Sequence, residues 1–181
     1  MAPPSEHSHP VLIRLDEGGT TAAVRLRATW RRDVGPEGLS AAVLRALAAA
    51  QQEHLVAALA ADPPAPPDVT PPSVDALLRA IGEIDEFRSA LAASTSSTRT
   101  VERVGGHVRV TIQRNAITEL DVAPEWVGHA GDAELEREIG ATLTEALQRI
   151  AAAPADALAG CPGLRAVLRT VGSPLVTAEE R

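Results

Sequence analysis

The pattern of apolar and polar positions in the first third of the chain predicts two strands followed by a long helix. Residues 11–15 form the first apolar run, and residues 22–29 alternate apolar side chains with arginine and threonine. A period of two is typical of a half-buried antiparallel strand. The intervening Asp-Glu-Gly-Gly predicts a hairpin turn. Pro36 and Glu37 are helix-start signals. From them we predict a helix over about 36–60, whose stripe contains Leu39, Val43, Leu47, His54, Leu55 and Leu59.

A second set of elements follows residue 72. Ser73 is a suitable N-cap for an amphipathic helix over about 73–93, which carries Val74, Leu77, Leu78, Ile81, Ile84, Phe87 and Leu91 at steps of three and four. Three strands are predicted over 98–104, 107–113 and 117–123, with a tight turn at Arg114 and Asn115. We expect residues 126–131 to form a loop. A helix should run from Asp132 to about Pro154, followed by a weaker helical segment over 156–171.

Proline marks the clearest boundary. Residues 62–72 contain six prolines, which exclude both helix and central strand and predict a stiff linker. The predicted organisation is therefore a disordered arm over 1–9, a first half over 10–61, the linker over 62–72, a second unit over 73–153 and a C-terminal tail over 154–181.

The two halves resemble each other in sequence. Trp126 lies 96 residues after Trp30. The same offset pairs Gly35 with Gly131, Val43 with Ile139, Leu47 with Leu143, Ala50 with Ala146, Gln52 with Gln148, Val24 with Leu120 and Leu26 with Val122. One residue of slip pairs Val11, Ile13 and Leu15 with Val108, Val110 and Ile112. Coincidence between two alanine-rich helices is the alternative, but matching tryptophans, loop length and strand phase favour duplication.

This repeat predicts an α+β fold, in which antiparallel sheet is flanked by helices. Two β-β-α units form an internal pseudo-dimer, and the second unit has an extra leading helix and strand. A single unit has one apolar sheet face and one apolar helix stripe and is too small to fold alone. Two units bury these faces together, and further self-association through sheet and helix faces is expected.

Composition narrows the classes of function. The formal net charge is −7 and the pI is about 5.2, which disfavours a phosphate-binding surface spread over the whole protein. All 17 basic residues are arginine, a bias typical of a GC-rich, actinobacterial-type genome. Cys161 is the single cysteine, and the chain shows neither a signal peptide nor an apolar membrane span. We therefore expect a cytoplasmic protein.

No catalytic, nucleotide-binding or metal-binding motif is present, so we expect no enzyme activity, cofactor or metal.

The arginines are the candidate binding site, because they fall on the outward-facing positions of the strands or near strand ends. Such a face can contact DNA phosphates or an acidic protein partner, or it can simply pair with Glu102, Glu119 and Asp121 across strands. Trp30 and Trp126 fit lids on the core better than base-stacking platforms. The candidate binding residues are Arg14, Arg25, Arg27, Arg31, Arg32, Arg109 and Arg114.

Part of the second half resembles a known protein family. The resemblance lies in the strand residues 105–112 (Gly-Gly-His-Val-Arg-Val-Thr-Ile), in 117–122 followed by Pro124, and in the helix residues Leu135, Ile139 and Ala146. In these residues the chain is similar to the YbaB/EbfC family of nucleoid-associated proteins. The resemblance covers about 73–153 and reaches 9–60 only through the repeat. It implies helices flanking a shared sheet, dimerisation, DNA binding and a location at the nucleoid. The chain departs from the family pattern in its tandem units, its linker and its tail. The alternative is a protein–protein adaptor or chaperone-like module, secretion-linked for instance, without DNA binding.

Overall fold

The computed structural model describes residues 9–61 and 71–170, and these residues form an α+β fold with two small antiparallel sheets and flanking helices. The predicted arm up to residue 8, most of the linker (62–70) and the end of the tail (171–181) lie outside the described residues. In chain order the elements are β1 (Val11–Leu15), β2 (Ala22–Leu26), α1 (Trp30–Asp33), α2 (Gly35–Ala60), α3 (Val74–Ser96), β3 (Thr98–Glu102), β4 (Val108–Gln113), β5 (Ala116–Val122), α4 (Pro124–His129), α5 (Asp132–Ala159) and α6 (Pro162–Thr170).

The chain divides into two compact units. The first unit contains residues up to 61 together with 98–112 and 116–148, so both β-β-α halves belong to it. The second unit contains residues 62–97, 113–115 and 149–181, which include α3, the last turns of α5, and α6. The extra helix α3 therefore groups with the C-terminal helices.

In the first half, β1 and β2 form a hairpin whose register pairs Val11 with Leu26 and Ile13 with Val24. The inward side chains of this hairpin are buried, and α2 packs against them with Leu39, Val43 and Leu47, which are nearly inaccessible. The predicted α2 stripe is thus confirmed in its first half. Further along the same helix, Leu55 and Leu59 are 58% and 78% exposed.

In the second half, the strand order is β3-β4-β5. Val108, Val110 and Ile112 of β4 are buried together with Leu120 and Val122 of β5, as the alternation predicted. Arg114 and Asn115 both have positive φ, 53° and 56°, which confirms the predicted tight turn between β4 and β5. The core face of α5 carries Leu135, Ile139 and Leu143, each fully buried.

Reciprocal hydrogen bonds join the two halves of the first unit. Glu136 on α5 accepts a hydrogen bond at 2.8 Å from the backbone N–H of Leu26 in β2. Ser40 on α2 accepts one at 3.1 Å from the backbone N–H of Val122 in β5. The repeat offset that equates Leu26 with Val122 also equates Ser40 with Glu136. Each long helix therefore supplies a hydrogen-bond acceptor to a backbone N–H group on the last strand of the other half. Two protomers related by a two-fold axis exchange contacts in the same reciprocal way.

Arg31 lies at the centre of this pseudo-two-fold arrangement. Its guanidinium donates at 2.9 Å to the carbonyl oxygen of Val127, which is the equivalent position in the other half. It also donates at 2.8 Å to the carbonyl of Ala130. A contact between two equivalent positions lies on the two-fold axis that relates the two halves, as it does at an isologous dimer interface. The internal pseudo-dimer is thus present in the structure of the first unit.

A close approach between α5 and β2 depends on Gly140. A Cβ atom at this position would lie 3.2 Å from the carbonyl oxygen of Ala22, closer than an ordinary van der Waals contact. Thr144, one turn later on α5, accepts a hydrogen bond at 3.0 Å from the backbone N–H of Ala22. Helix α5 thereby covers the outer edge of β2 along most of its length.

The second unit is built around the pair α3 and α6. Glu83 on α3 accepts hydrogen bonds from the backbone N–H groups of Gly163 at 3.1 Å and Leu164 at 2.8 Å. These are N–H groups that the first turn of α6 leaves without intrahelical partners, and a carboxylate there also complements the helix dipole. Cys161, just before α6, is fully buried.

Several boundaries differ from the sequence-based prediction; α3 ends at Ser96 instead of near residue 93, and β3 ends at Glu102 instead of residue 104. The predicted loop after β5 is a short helix, α4, which starts at Pro124 because proline is well suited to the first helical turn. Helix α5 continues through Pro154 to Ala159, where Ala153, Ala157 and Leu158 are buried. Their packing outweighs the proline's missing N–H. Strand β2 ends at Leu26 instead of continuing to Thr29, because α1 begins at Trp30.

Candidate functional site

The outward face of the three-stranded sheet carries more acid than base. Arg109 donates at 3.0 Å to the carboxylate of Glu102, and Glu119 accepts a hydrogen bond from Thr111. The hydrogen bond with Glu102 and the charge of Glu102, followed by those of Asp121 and Glu119, raise the pKa of Arg109. One arginine surrounded by three carboxylates gives a face that does not attract phosphate groups.

On the hairpin β1–β2, two candidate arginines share the outward face. Arg14 lies opposite Ala23, and Arg25 lies opposite Leu12, which is the next pair on the same face of the hairpin. Arg25 forms an ion pair with Glu136 at 2.9 Å, although most of its side chain is exposed. Arg14 is exposed and has no ion pair within the described residues. This face therefore offers less positive charge than the sequence alone predicted.

The other candidate arginines lie in different parts of the structure. Arg31 is held by two backbone carbonyls, by Asp132 at 3.3 Å and by the ring of Trp30, whose centroid lies 4.6 Å away. Arg32 is exposed beside Asp33, Arg27 is half-buried, and Arg114 lies exposed in the β4–β5 turn. The seven arginines are thus spread over several surfaces, and Arg31 mainly stabilises the fold.

The two tryptophans have different environments. Trp30 is fully buried and its indole N–H donates to Asp132 at 3.1 Å. Trp126 is half-buried and stacks on His107, with ring centroids 4.9 Å apart and the planes 6° from parallel. Trp126 also lines a cleft of about 220 Å³ with Glu134 and Glu138. Trp30 acts as a lid on the core, as the sequence favoured, and Trp126 is covered on one face by His107.

Helix α3 exposes a row of large aliphatic side chains on one face. Here we define the α3 apolar face as Val74, Leu77, Leu78, Ile81 and Ile84, whose exposure ranges from 40% to 70%. The side of α3 that meets α6 carries Ala80, which is buried, and Glu83. The amphipathic pattern of this helix was evident in the sequence. Periodicity shows that apolar residues share a face, but it does not show whether another element covers that face.

Two features that could support catalysis are a metal-binding group and an activated cysteine. No group of His, Cys, Asp and Glu suited to holding a metal ion occurs within them. Burial, followed by the charges of Glu86 and Glu83, raises the pKa of Cys161, the opposite of what an activated nucleophile needs. None of the described helices combines the length and the apolarity needed to cross a membrane.

Comparison with known proteins gives no further constraint: no protein-family model, curated protein or solved structure matches this chain.

Proposed function

We propose that this chain is a non-enzymatic protein-binding module, an adaptor, built on a duplicated β-β-α scaffold. The observation that carries the proposal is the α3 apolar face. Monomeric soluble proteins rarely expose contiguous apolar patches larger than a few hundred Å², and larger ones mark interaction sites. Helix α3 places five large aliphatic side chains on one face, each at least 40% exposed, and we take this face as an interaction site of that kind.

The charge distribution supports a protein partner over DNA. The chain carries a net charge of −7, and several candidate arginines are paired with carboxylates of the same unit. Phosphate binding needs basic side chains that release counterions from the nucleic acid. An aliphatic helix face is instead typical of surfaces that receive an apolar helix or groove of another protein.

The resemblance to the YbaB/EbfC family is part of this proposal as an account of origin. A duplicated chain that keeps a dimer's reciprocal contacts within one molecule is what fusion of two such units would produce. DNA binding, which the resemblance implies, stays a prediction, and it is tested separately from the adaptor function.

The test of the adaptor function compares variants of the α3 apolar face. Partners captured by the full chain are identified, each is purified, and its affinity is measured for the wild type and for Ile81→Glu. We expect Ile81→Glu to weaken binding at least about tenfold, because a charge would replace a central aliphatic contact. Ala93→Glu is the matched control, since Ala93 is exposed on the same helix but outside the face. Equal affinities for all three proteins would contradict the proposal.

A further inference from the structure

The repeat shows an asymmetry between the two sheets. The offset equates β1 with β4 and β2 with β5, but β3, which pairs with β4, has no counterpart in the first half. Within residues 9–61 and 71–170, β1 pairs with β2 alone. The outer edge of β1 is therefore the place where the second half of the same chain carries an additional strand.

The backbone of β1 presents hydrogen-bonding groups at this edge. Asp16 donates its N–H to Thr21 and Pro10 accepts from Arg27, so the even-numbered residues of β1 bond to β2. Because the direction alternates along a strand, the N–H groups of Ile13 and Leu15 point away from β2. The outer edge of β2 already has hydrogen-bond partners, since Thr144 accepts a hydrogen bond from the N–H of Ala22 and Glu136 accepts one from the N–H of Leu26.

A groove runs beside this edge. It has a volume of about 340 Å³ and lies between residues 13–17 and one side of α2, where Ala50, Glu53, His54 and Ala57 line it. Two alanines leave room for a side chain that enters from an added strand. Glu53, Asp16 and Glu17 make the rim more acidic than basic, with Arg14 as the basic residue.

We infer that the β1 edge and this groove bind an extended segment of another polypeptide as an added antiparallel strand. Strand addition supplies main-chain hydrogen bonds for affinity and a pocket for alternate side chains. Strand β3 shows the chemistry of the occupant: Val101 is buried, Arg99 on the same side is half-buried, and the intervening residues are exposed. Because the rim of the groove is acidic, the bound segment carries the same pattern: a β-branched aliphatic residue on its inward side and, two positions earlier, a basic residue that pairs with Glu53.

This inference goes beyond the proposed function, because the α3 apolar face belongs to the second unit and the β1 edge to the first. Failure of one leaves the other standing. Ile81→Glu, which is expected to weaken binding at α3, is predicted to leave binding at the β1 edge unchanged.

A synthetic peptide with the sequence of residues 97–103, Ser-Thr-Arg-Thr-Val-Glu-Arg, tests the inference with the full chain. Fluorescence anisotropy is expected to show saturable binding, which a scrambled peptide lacks. Glu53→Arg should weaken it at least about tenfold, and changing the peptide's first arginine to glutamate should restore binding to this variant. Gln52→Arg is the matched control, because Gln52 is exposed next to Glu53 and does not line the groove.

Hydrogen exchange locates the bound peptide. Saturating peptide is expected to slow exchange of the Ile13 and Leu15 amides, as added ladder hydrogen bonds would, and to leave amides of the α3 apolar face unchanged. Absence of saturable binding, unchanged exchange at both amides, or equal affinities of wild type and Glu53→Arg would each overturn the inference. Self-association of the chain that blocks the same amides would also overturn it, since a second copy would then occupy the edge.

Discussion

Ser40 and Glu136 occupy equivalent positions on the two long helices of the first unit, and each accepts a hydrogen bond from the last strand of the other half. Together with Arg31, which binds the carbonyl of its equivalent Val127, they define an internal two-fold relationship. A homodimer makes each such contact twice with identical residues. Here the two halves differ at the equivalent position, since serine stands in one half and glutamate in the other.

Loss of either side chain should destabilise the first unit. Glu136→Ala and Ser40→Ala each leave a strand N–H without its acceptor, and we expect each to lower the free energy of unfolding by about 1–3 kcal/mol. Urea denaturation measures this difference. Glu134→Ala is the control, because this exposed glutamate has no such hydrogen bond and should change stability by less than about 0.5 kcal/mol. Equal effects of Glu134→Ala and Glu136→Ala would contradict the assignment.

Gly140 and Gly82 should respond to substitution in opposite directions. Gly140→Val is expected to destabilise by about 1–3 kcal/mol, because its Cβ meets the Ala22 carbonyl. A Cβ at Gly82 meets nothing within 4 Å, so Gly82→Ala should stabilise α3 by about 0.5–1 kcal/mol through helix propensity. Thermal melts of the two variants compare them directly, and stabilisation by Gly140→Val would show that α5 and β2 are not in contact.

Acid should weaken the β1–β2 turn through Asp16. Hydrogen bonds from Thr21 and Thr20 lower its pKa below the ordinary value of 3.8. A lowered folded-state pKa contributes stability above the ordinary value, and the contribution is lost as pH falls through the lowered pKa. The free energy of unfolding between pH 6 and 3 should thus fall less steeply for Asp16→Asn than for wild type. Glu17→Gln, in the same turn, is the control, and parallel curves for wild type and Asp16→Asn would refute this role.

Cys161 should behave as a packed thiol in the native protein. Its side chain is fully buried, and burial with the nearby Glu86 and Glu83 raises its pKa. Since the thiolate is the reactive form and access requires local opening, iodoacetamide should modify it at least about tenfold more slowly in native protein than in urea. Raising the pH increases the thiolate fraction and should increase the native rate. A native rate equal to that in urea would exclude this packing.

Sequence periodicity predicted most elements but not which faces are covered. Leu39, Val43 and Leu47 are buried as the α2 stripe predicted, whereas Leu55 and Leu59 continue that pattern and are exposed. Periodicity describes one helix, while burial depends on what packs against it. For the same reason the α3 apolar face was visible in the sequence as an amphipathic pattern and not as a binding surface.

The arginines also show how far sequence patterns can predict the surroundings of a side chain. Alternation placed Arg25 and Arg109 on the outward side of their strands, where they are. Glu102, which the sequence offered as a cross-strand partner, pairs with Arg109 from the neighbouring strand. Glu136, the partner of Arg25, comes from α5 in the other half, and no local pattern predicts that pairing. Arg31 was grouped with the surface arginines because its carbonyl partners lie in the other half of the repeat. Knowledge of the pseudo-two-fold axis was needed to predict them.

The measurement that most directly separates a protein-binding module from a nucleoid-associated protein is a salt titration of DNA binding with the full chain. The account predicts no binding that rises steeply as salt is lowered, because Arg25 and Arg109 are paired with carboxylates and the net charge is negative. Steep salt dependence, together with loss of affinity in the Arg25→Ala and Arg27→Ala variants, would contradict it and establish the hairpin face as a DNA-binding surface.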